Sequence, residues 1–155
     1  MPTSKTYAGV RHLGAVRVTV ETQDRDDAGR TIASQQSLLR PTRRESPVGF
    51  EWGYHGSGPD DLAHAILVDH YGRNETAYAT AEAEYKEFSD RVIANLATDK
   101  WELTTAKVEE ALFVQRRDAH PALVMLPSAN MADMDVLPQA IVMLETANAQ
   151  GYRRC

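Results

Sequence analysis

Glu51, His55, Asp61, His64, Asp69 and His70, residues of types able to hold a metal or move a proton, fall between positions 51 and 70 of this 155-residue chain. Asp61 and His64 are three apart and share a helix face, so they could reach one ion. His64 and His70 are six apart and point to different faces. No His-Glu-x-x-His or His-x-x-x-His pair occurs, so no metal is expected and these side chains read as solvated helix-surface residues. Glu51 would serve as an acid or base if it faced a pocket beside Phe50, Trp52 and Tyr54. If those aromatics alternate along a buried strand face, Glu51 turns the other way, to solvent or a salt bridge. Ser57 sits directly between Gly56 and Gly58 and lacks the Gly-x-Ser-x-Gly frame that presents a nucleophilic serine. No catalytic set and no cofactor follow from these residues.

The run Gly56-Ser57-Gly58-Pro59 resembles a glycine-rich approach to a helix N-terminus, where backbone N–H groups can hold a phosphate. Asp60 and Asp61 follow at once, and in the first turn they satisfy the positive helix end and repel an anion. No Lys-Ser or Lys-Thr pair follows the glycines, and the dinucleotide spacing is absent. The stretch therefore reads as a tight strand-to-helix corner, with Ser57 or Gly58 as cap and Pro59 early in the helix.

The elements that position these residues come from hydrophobic periodicity. Val16, Val18 and Val20 alternate with Arg17, Thr19 and Glu21, the period-two pattern of a half-buried strand. Asp24 to Gly29 makes a hairpin turn. A second, less cleanly patterned strand runs over Thr31–Leu39 until Pro41, and Phe50 to Tyr54 reads as a third. Helices are predicted from Pro59 to Tyr71, closed by Gly72, from Thr76 to Ala97, and from Thr104 or Thr105 to Arg116 and Arg117. Trp101-Glu102-Leu103 is a short extended link. Past Asp118, a short strand is expected at Ala122–Leu126 and a helix at Asp135–Asn148. Strands come early and helices late, so the fold class is α+β, an antiparallel sheet of about three strands against about three helices. Residues 1–117 would form the core domain, and 118–155 a C-terminal strand-helix extension packed on it or used in an oligomer or partner interface.

Composition narrows the function classes. A hydrophobic fraction of 43% and a charged fraction of 25% belong to a globular chain with a real core. No run reaches the roughly 18 apolar residues of a membrane span, and Met-Pro-Thr-Ser-Lys lacks an apolar signal core, so a cytoplasmic protein is expected. The lone cysteine, Cys155, staples nothing. A net charge of −5 gives no overall attraction to nucleic acid. Arg40, Arg43 and Arg44, and separately Arg116 and Arg117, could each make a local basic patch.

The block Gly49-Phe50-Glu51-Trp52-Gly53-Tyr54, then Gly56-Ser57-Gly58-Pro59, Leu62-Ala63, Ala65-Ile66-Leu67 and Asp69-His70 carries a resemblance. It is similar to a family of small uncharacterised bacterial proteins, also found on phages and plasmids, with a Gly-Phe-Glu-Trp-Gly-Tyr-Gly-Gly-Ser-Gly-Pro core. The resemblance runs from Tyr7-x-Gly9-x-Arg11 through Tyr85-x-x-Phe88-Ser89 and Trp101-Glu102-Leu103 to about Leu112. His55 stands where that core has glycine, and Gly72–Ala77 is lengthened. The resemblance implies a domain and a habitat, and no activity.

Three expectations of function follow. The first is a non-enzymatic protein-binding accessory protein of a phage or mobile element that occupies a surface of a host or defence-system protein. The second is a small enzyme or ligand-binding domain with a pocket around Glu51, Trp52, Tyr54, His55 and Ser57. The third is a nucleic-acid-binding regulator using Arg40, Arg43 and Arg44.

Overall fold

A computed structural model describes residues 3–120. The strand expected at Ala122–Leu126, the helix expected at Asp135–Asn148 and Cys155 lie outside the described residues. In chain order the elements are β1 (Thr3–His12), β2 (Ala15–Arg25), β3 (Thr31–Leu38), α1 (Ser57–His70), α2 (Glu75–Arg91), a 3-10 turn (Ile93–Asn95), β4 (Lys100–Thr104) and α3 (Thr105–Ala119). The class is α+β, as the order of elements implied. Among the described residues the sheet has four strands, in the order β3-β2-β1-β4, with every neighbouring pair antiparallel.

Two strand assignments from sequence are corrected. Phe50–Tyr54 pairs with no strand. Gly49 and Gly53 take φ of 88° and 86°, which breaks the extended run, and the segment is a loop anchored by Trp52. The link at Trp101-Glu102-Leu103 is β4, an edge strand on β1. The N-terminal strand β1 had no counterpart in the sequence reading. It turns into β2 through Leu13 and Gly14, both at positive φ (51° and 80°), the mirror-image two-residue turn that matches strand twist.

Register explains the sheet's two faces. Tyr7 pairs with Val20 and Leu103, and Gly9 pairs with Val18 and Trp101, so one row of positions across three strands points to the helices. Tyr7, Val18, Val20, Trp101 and Leu103 are all buried. Their neighbours Thr6, Arg17, Thr19 and Glu102 face outward at least in part. The inward row meets Leu62, Ile66, Leu67, Phe88, Val108 and Leu112 in one core, where each large apolar side chain contributes about 1.5–3 kcal/mol.

Helix α1 is the centre of the molecule. It begins after Gly56, with no side-chain cap, and every residue from Gly58 to Asp69 is buried. A helix apolar on several sides needs cover on several sides. Tyr71 and Gly72 end it: Gly72 N donates to Asp69 O and Arg73 N to Val68 O, the Schellman pattern. Asn74 then caps α2 by accepting from Ala77 N at 2.7 Å. Because α1 is enclosed, its polar residues Asp60, Asp61, His64 and Asp69 are enclosed too, and each requires a partner.

Candidate functional site

The residues that looked reactive in the stretch 49–61 do not converge on one pocket. Glu51 accepts a salt bridge from Arg11 Nη2 at 2.6 Å. Arg11 also donates to Thr98 O at 2.7 Å and lies 4.7 Å over the Trp52 ring, while Trp52 Nε1 donates to the same Thr98 carbonyl at 3.0 Å. Glu51 and Trp52 thereby tie the loop to the segment before β4. Tyr54 is about half exposed. His55 Nδ1 sits 3.1 Å from Asp90 on the surface, and hydrogen bonding from His55 helps hold the Asp90 carboxyl below its ordinary range. Ser57 is the exposed first residue of α1. The three arginines also part company: Arg40 and Arg44 are exposed, and Arg43 turns inward.

Polar groups do converge where residues 41–46 cross the first half of α1. Arg43 stacks 4.5 Å over the Tyr85 ring and pairs with Asp61 at 3.7 Å. Asp61 Oδ2 accepts from Ser46 N at 2.8 Å and Oδ1 from Glu45 N at 3.3 Å. Asp61 thus serves the crossing loop, while Asp60 pairs with Lys86 of α2 at 3.2 Å. Burial opposes the charge on Arg43, but Tyr85, Glu45 and Asp61 outweigh it and hold the guanidinium above its ordinary value.

His64, expected as a solvated surface residue, is 3% exposed, because the loop and α2 close over that face. Tyr78 and Tyr85 meet its ring edge-on at 6.0 and 5.6 Å. Its Nδ1 is 2.7 Å from Thr42 Oγ1 and its Nε2 is 3.2 Å from Glu82 Oε2. Burial lowers its pKa, with Glu82 pulling the other way, so the ring is neutral near pH 7. A carboxylate only accepts, which assigns the proton to Nε2 and makes the Thr42 hydroxyl donate to Nδ1. The result is a hydroxyl–imidazole–carboxylate relay beside a cavity of about 480 Å³ lined by Thr42, Arg43, Glu45, His64, Tyr78, Ala79 and Glu82. Nothing in the sequence signalled it: the Asp61/His64 spacing pointed only to a shared ion, and the partners of His64 are Thr42 and Glu82.

A second hub closes the other end of α1. Asp69 accepts from Lys5 Nζ at 3.0 Å, Tyr7 Oη at 2.9 Å and Arg73 Nε at 2.8 Å. Burial favours its neutral form, yet these donors outweigh burial and keep its carboxyl below the ordinary range. Burial and the facing carboxylate push the Tyr7 phenol well up. Among the described residues, no three His, Cys, Asp or Glu side chains gather as a metal-ligand set, and no helix is long and apolar enough to cross a membrane.

Residues 7–114, nearly the whole described fold, match one protein-family profile. The chain belongs to DUF6166, a family of unknown function. No curated protein and no solved structure matches it. The DUF6166 span takes in the whole Thr42–His64–Glu82 relay, and of the Asp69 hub it leaves out only Lys5.

It also takes in β3, which is built unlike the rest of the domain. All eight of its residues are exposed, and among the described residues it has the β2 neighbour alone. Thr31–Leu38 holds no charge and no proline, the devices by which edge strands commonly discourage pairing.

Proposed function

We propose that this DUF6166 protein is a non-enzymatic protein-binding accessory that occupies a surface of another protein, with β3 as its contact. The observation that carries the reading is the open, uncharged eight-residue edge of β3. Such an edge offers a row of main-chain donors and acceptors to an extended segment, the physics of strand addition. The phage and plasmid habitat implied by the resemblance favours a host or defence-system protein as the partner. Affinity purification from the native host tests it, comparing the wild type with Gln36→Pro. Proline removes an edge N–H and is tolerated on edge strands. One stoichiometric partner, captured by the wild type and lost by a folded Gln36→Pro, is the expected result. Capture unchanged by Gln36→Pro refutes β3 as the contact.

The Thr42–His64–Glu82 relay favours a second reading, a small ligand-binding or hydrolytic site moved from Glu51–Ser57 to the adjoining cavity. Imidazole on a hydroxyl is the arrangement that activates a nucleophile. Turnover of a simple activated ester, abolished by both Thr42→Val and His64→Gln in folded protein, would establish it. Background hydrolysis equal in all three proteins rejects it.

A further inference from the structure

We infer that the strand fitted to β3 is β3 of a second copy, paired antiparallel about Gln35. This rests on the reading of β3 as a strand-accepting edge and names the occupant of that edge in the isolated protein.

The existing ladder fixes which backbone groups are open. Leu39 N donates to Val18 O at 3.0 Å, and Val20, Thr22 and Asp24 face Ser37, Gln35 and Ala33. Alternation then turns the N–H and C=O groups of Ala33, Gln35 and Ser37 toward β2, and those of Ser34, Gln36 and Leu38 toward the open edge. The register shift lies between Asp24 and Arg25, opposite the start of β3, so Ala33–Leu38 remains regular.

A two-fold pairing of identical antiparallel strands must set open-edge residues against open-edge residues. The two-fold axis must therefore fall on a residue and not between two. Placed at Gln35, it sets Ser34 against Gln36 and Ala33 against Ser37 of the second copy within the regular span, and carries Leu38 toward Ile32, the residue at the register shift. Gln35 then faces its own counterpart as a close, non-hydrogen-bonded pair. Ile32 and Leu38, 51% and 65% exposed, are the strand's only large apolar residues, and this register brings them toward the same ends of the pairing. An axis at Ser34 shortens the overlap, and one at Gln36 sets Leu38 against Ser34 and leaves the two apolar residues apart.

Charge supports the choice of edge. No charged side chains oppose one another within the paired span of β3. The other sheet edge, β4, has five residues that include Lys100 and Glu102, and self-pairing about its centre would set Glu102 against Glu102, which is destabilising.

The test uses the full chain with Cys155→Ser, which removes the sole native thiol. On mild oxidation Gln35→Cys should form a disulfide dimer, and Ser34→Cys and Gln36→Cys, each alone, should not. Light scattering should give twice the chain mass for the wild type and the single-chain mass for Gln36→Pro. A wild type that stays monomeric at high micromolar concentration overturns the inference, as does a dimer that Gln36→Pro leaves intact. Linking through Gln36→Cys in place of Gln35→Cys overturns it as well. A monomer that still loses its captured partner on Gln36→Pro refutes self-pairing and leaves the protein-binding reading standing. A dimer whose captured partner is indifferent to Gln36→Pro does the reverse.

Discussion

Gly9→Ala should destabilise the fold through one side chain, Trp101. Gly9 lies in the inward row of β1, beside Trp101 of β4. A Cβ there would stand 2.3 Å from Trp101 Nε1, 2.4 Å from Cε2 and 2.7 Å from Cζ2. The indole has little room to retreat, because it meets the buried Trp52 edge-on at 5.6 Å and 80°, and Arg11 covers Trp52 at 4.7 Å. Gly9 is not among the positive-φ residues, so the cost is steric and not a matter of backbone strain. Overpacking costs about 1–3 kcal/mol, offset by about 0.4–1 kcal/mol from the stiffer unfolded chain. Since three indole atoms are overlapped at once, the net loss should be about 2 kcal/mol. For a chain of this length, that lowers Tm by roughly 4–8 °C. Thermal unfolding followed by far-UV circular dichroism and by tryptophan emission measures it. Trp101→Leu alone leaves a void worth about 3 kcal/mol, and the Gly9→Ala methyl would occupy part of that void. The double variant should therefore be at least about 1 kcal/mol more stable than the sum of the single losses. Additivity within about 0.5 kcal/mol, or a neutral Gly9→Ala, refutes the contact.

Three further outcomes follow from the polar hubs. His64 is buried with a lowered pKa, so below the unfolded value of about 6.5 the unfolded chain binds its proton more readily. Stability is full above that pH and falls below it, by up to about 1.4 kcal/mol per pH unit. Urea unfolding at pH 7.5 and 5.5 should show a larger loss for the wild type than for His64→Gln. Asp69→Asn weakens three donor contacts to a buried carboxylate, and chemical denaturation should register a loss of about 3 kcal/mol, while a loss under about 1 kcal/mol rejects the hub. Thr42→Val strips His64 Nδ1 of its donor at a cost of about 1–2 kcal/mol. It should loosen residues 41–46, so that trypsin cuts faster after Arg43 and the exposed Arg44.

Strand β2 and the three helices were legible from their apolar patterns, three valines in alternation for β2 and Gly72 closing α1, although the second helix, read over Thr76–Ala97, runs Glu75–Arg91. Strand β1 was not, for two physical reasons. Its inward row is Tyr7 and Gly9, and a glycine leaves no apolar mark even though it makes room for Trp101. Its turn uses Leu13-Gly14, where the usual signal is Asn-Gly or Asp-Gly. Strand β4 is five residues whose neighbour, β1, lies about ninety positions earlier, a pairing no local window contains. Phe50–Tyr54 imitated a strand by alternation alone, while the backbone bends at two glycines and only Trp52 of the three aromatics is fully buried.

The candidate sites were hidden in a way that the apolar content of α1 could have exposed. Leu62, Ala63, Ala65, Ile66, Leu67 and Val68 spread round the helix and do not line one stripe, so the helix must be enclosed. Any Asp or His within it then requires a buried partner, which is what Arg43, Thr42, Lys5 and Tyr7 supply. The identity of those partners depended on how residues 41–46 fold back, and nothing local specifies that path. Strand β3 presents the opposite case. Its weak alternation is the expected pattern of a strand with neither face buried, and all eight exposed residues agree with that. A segment freed from the core, yet extended and uncharged, presents its main-chain edge, which is why the register about Gln35 is the sharpest question to put to this protein.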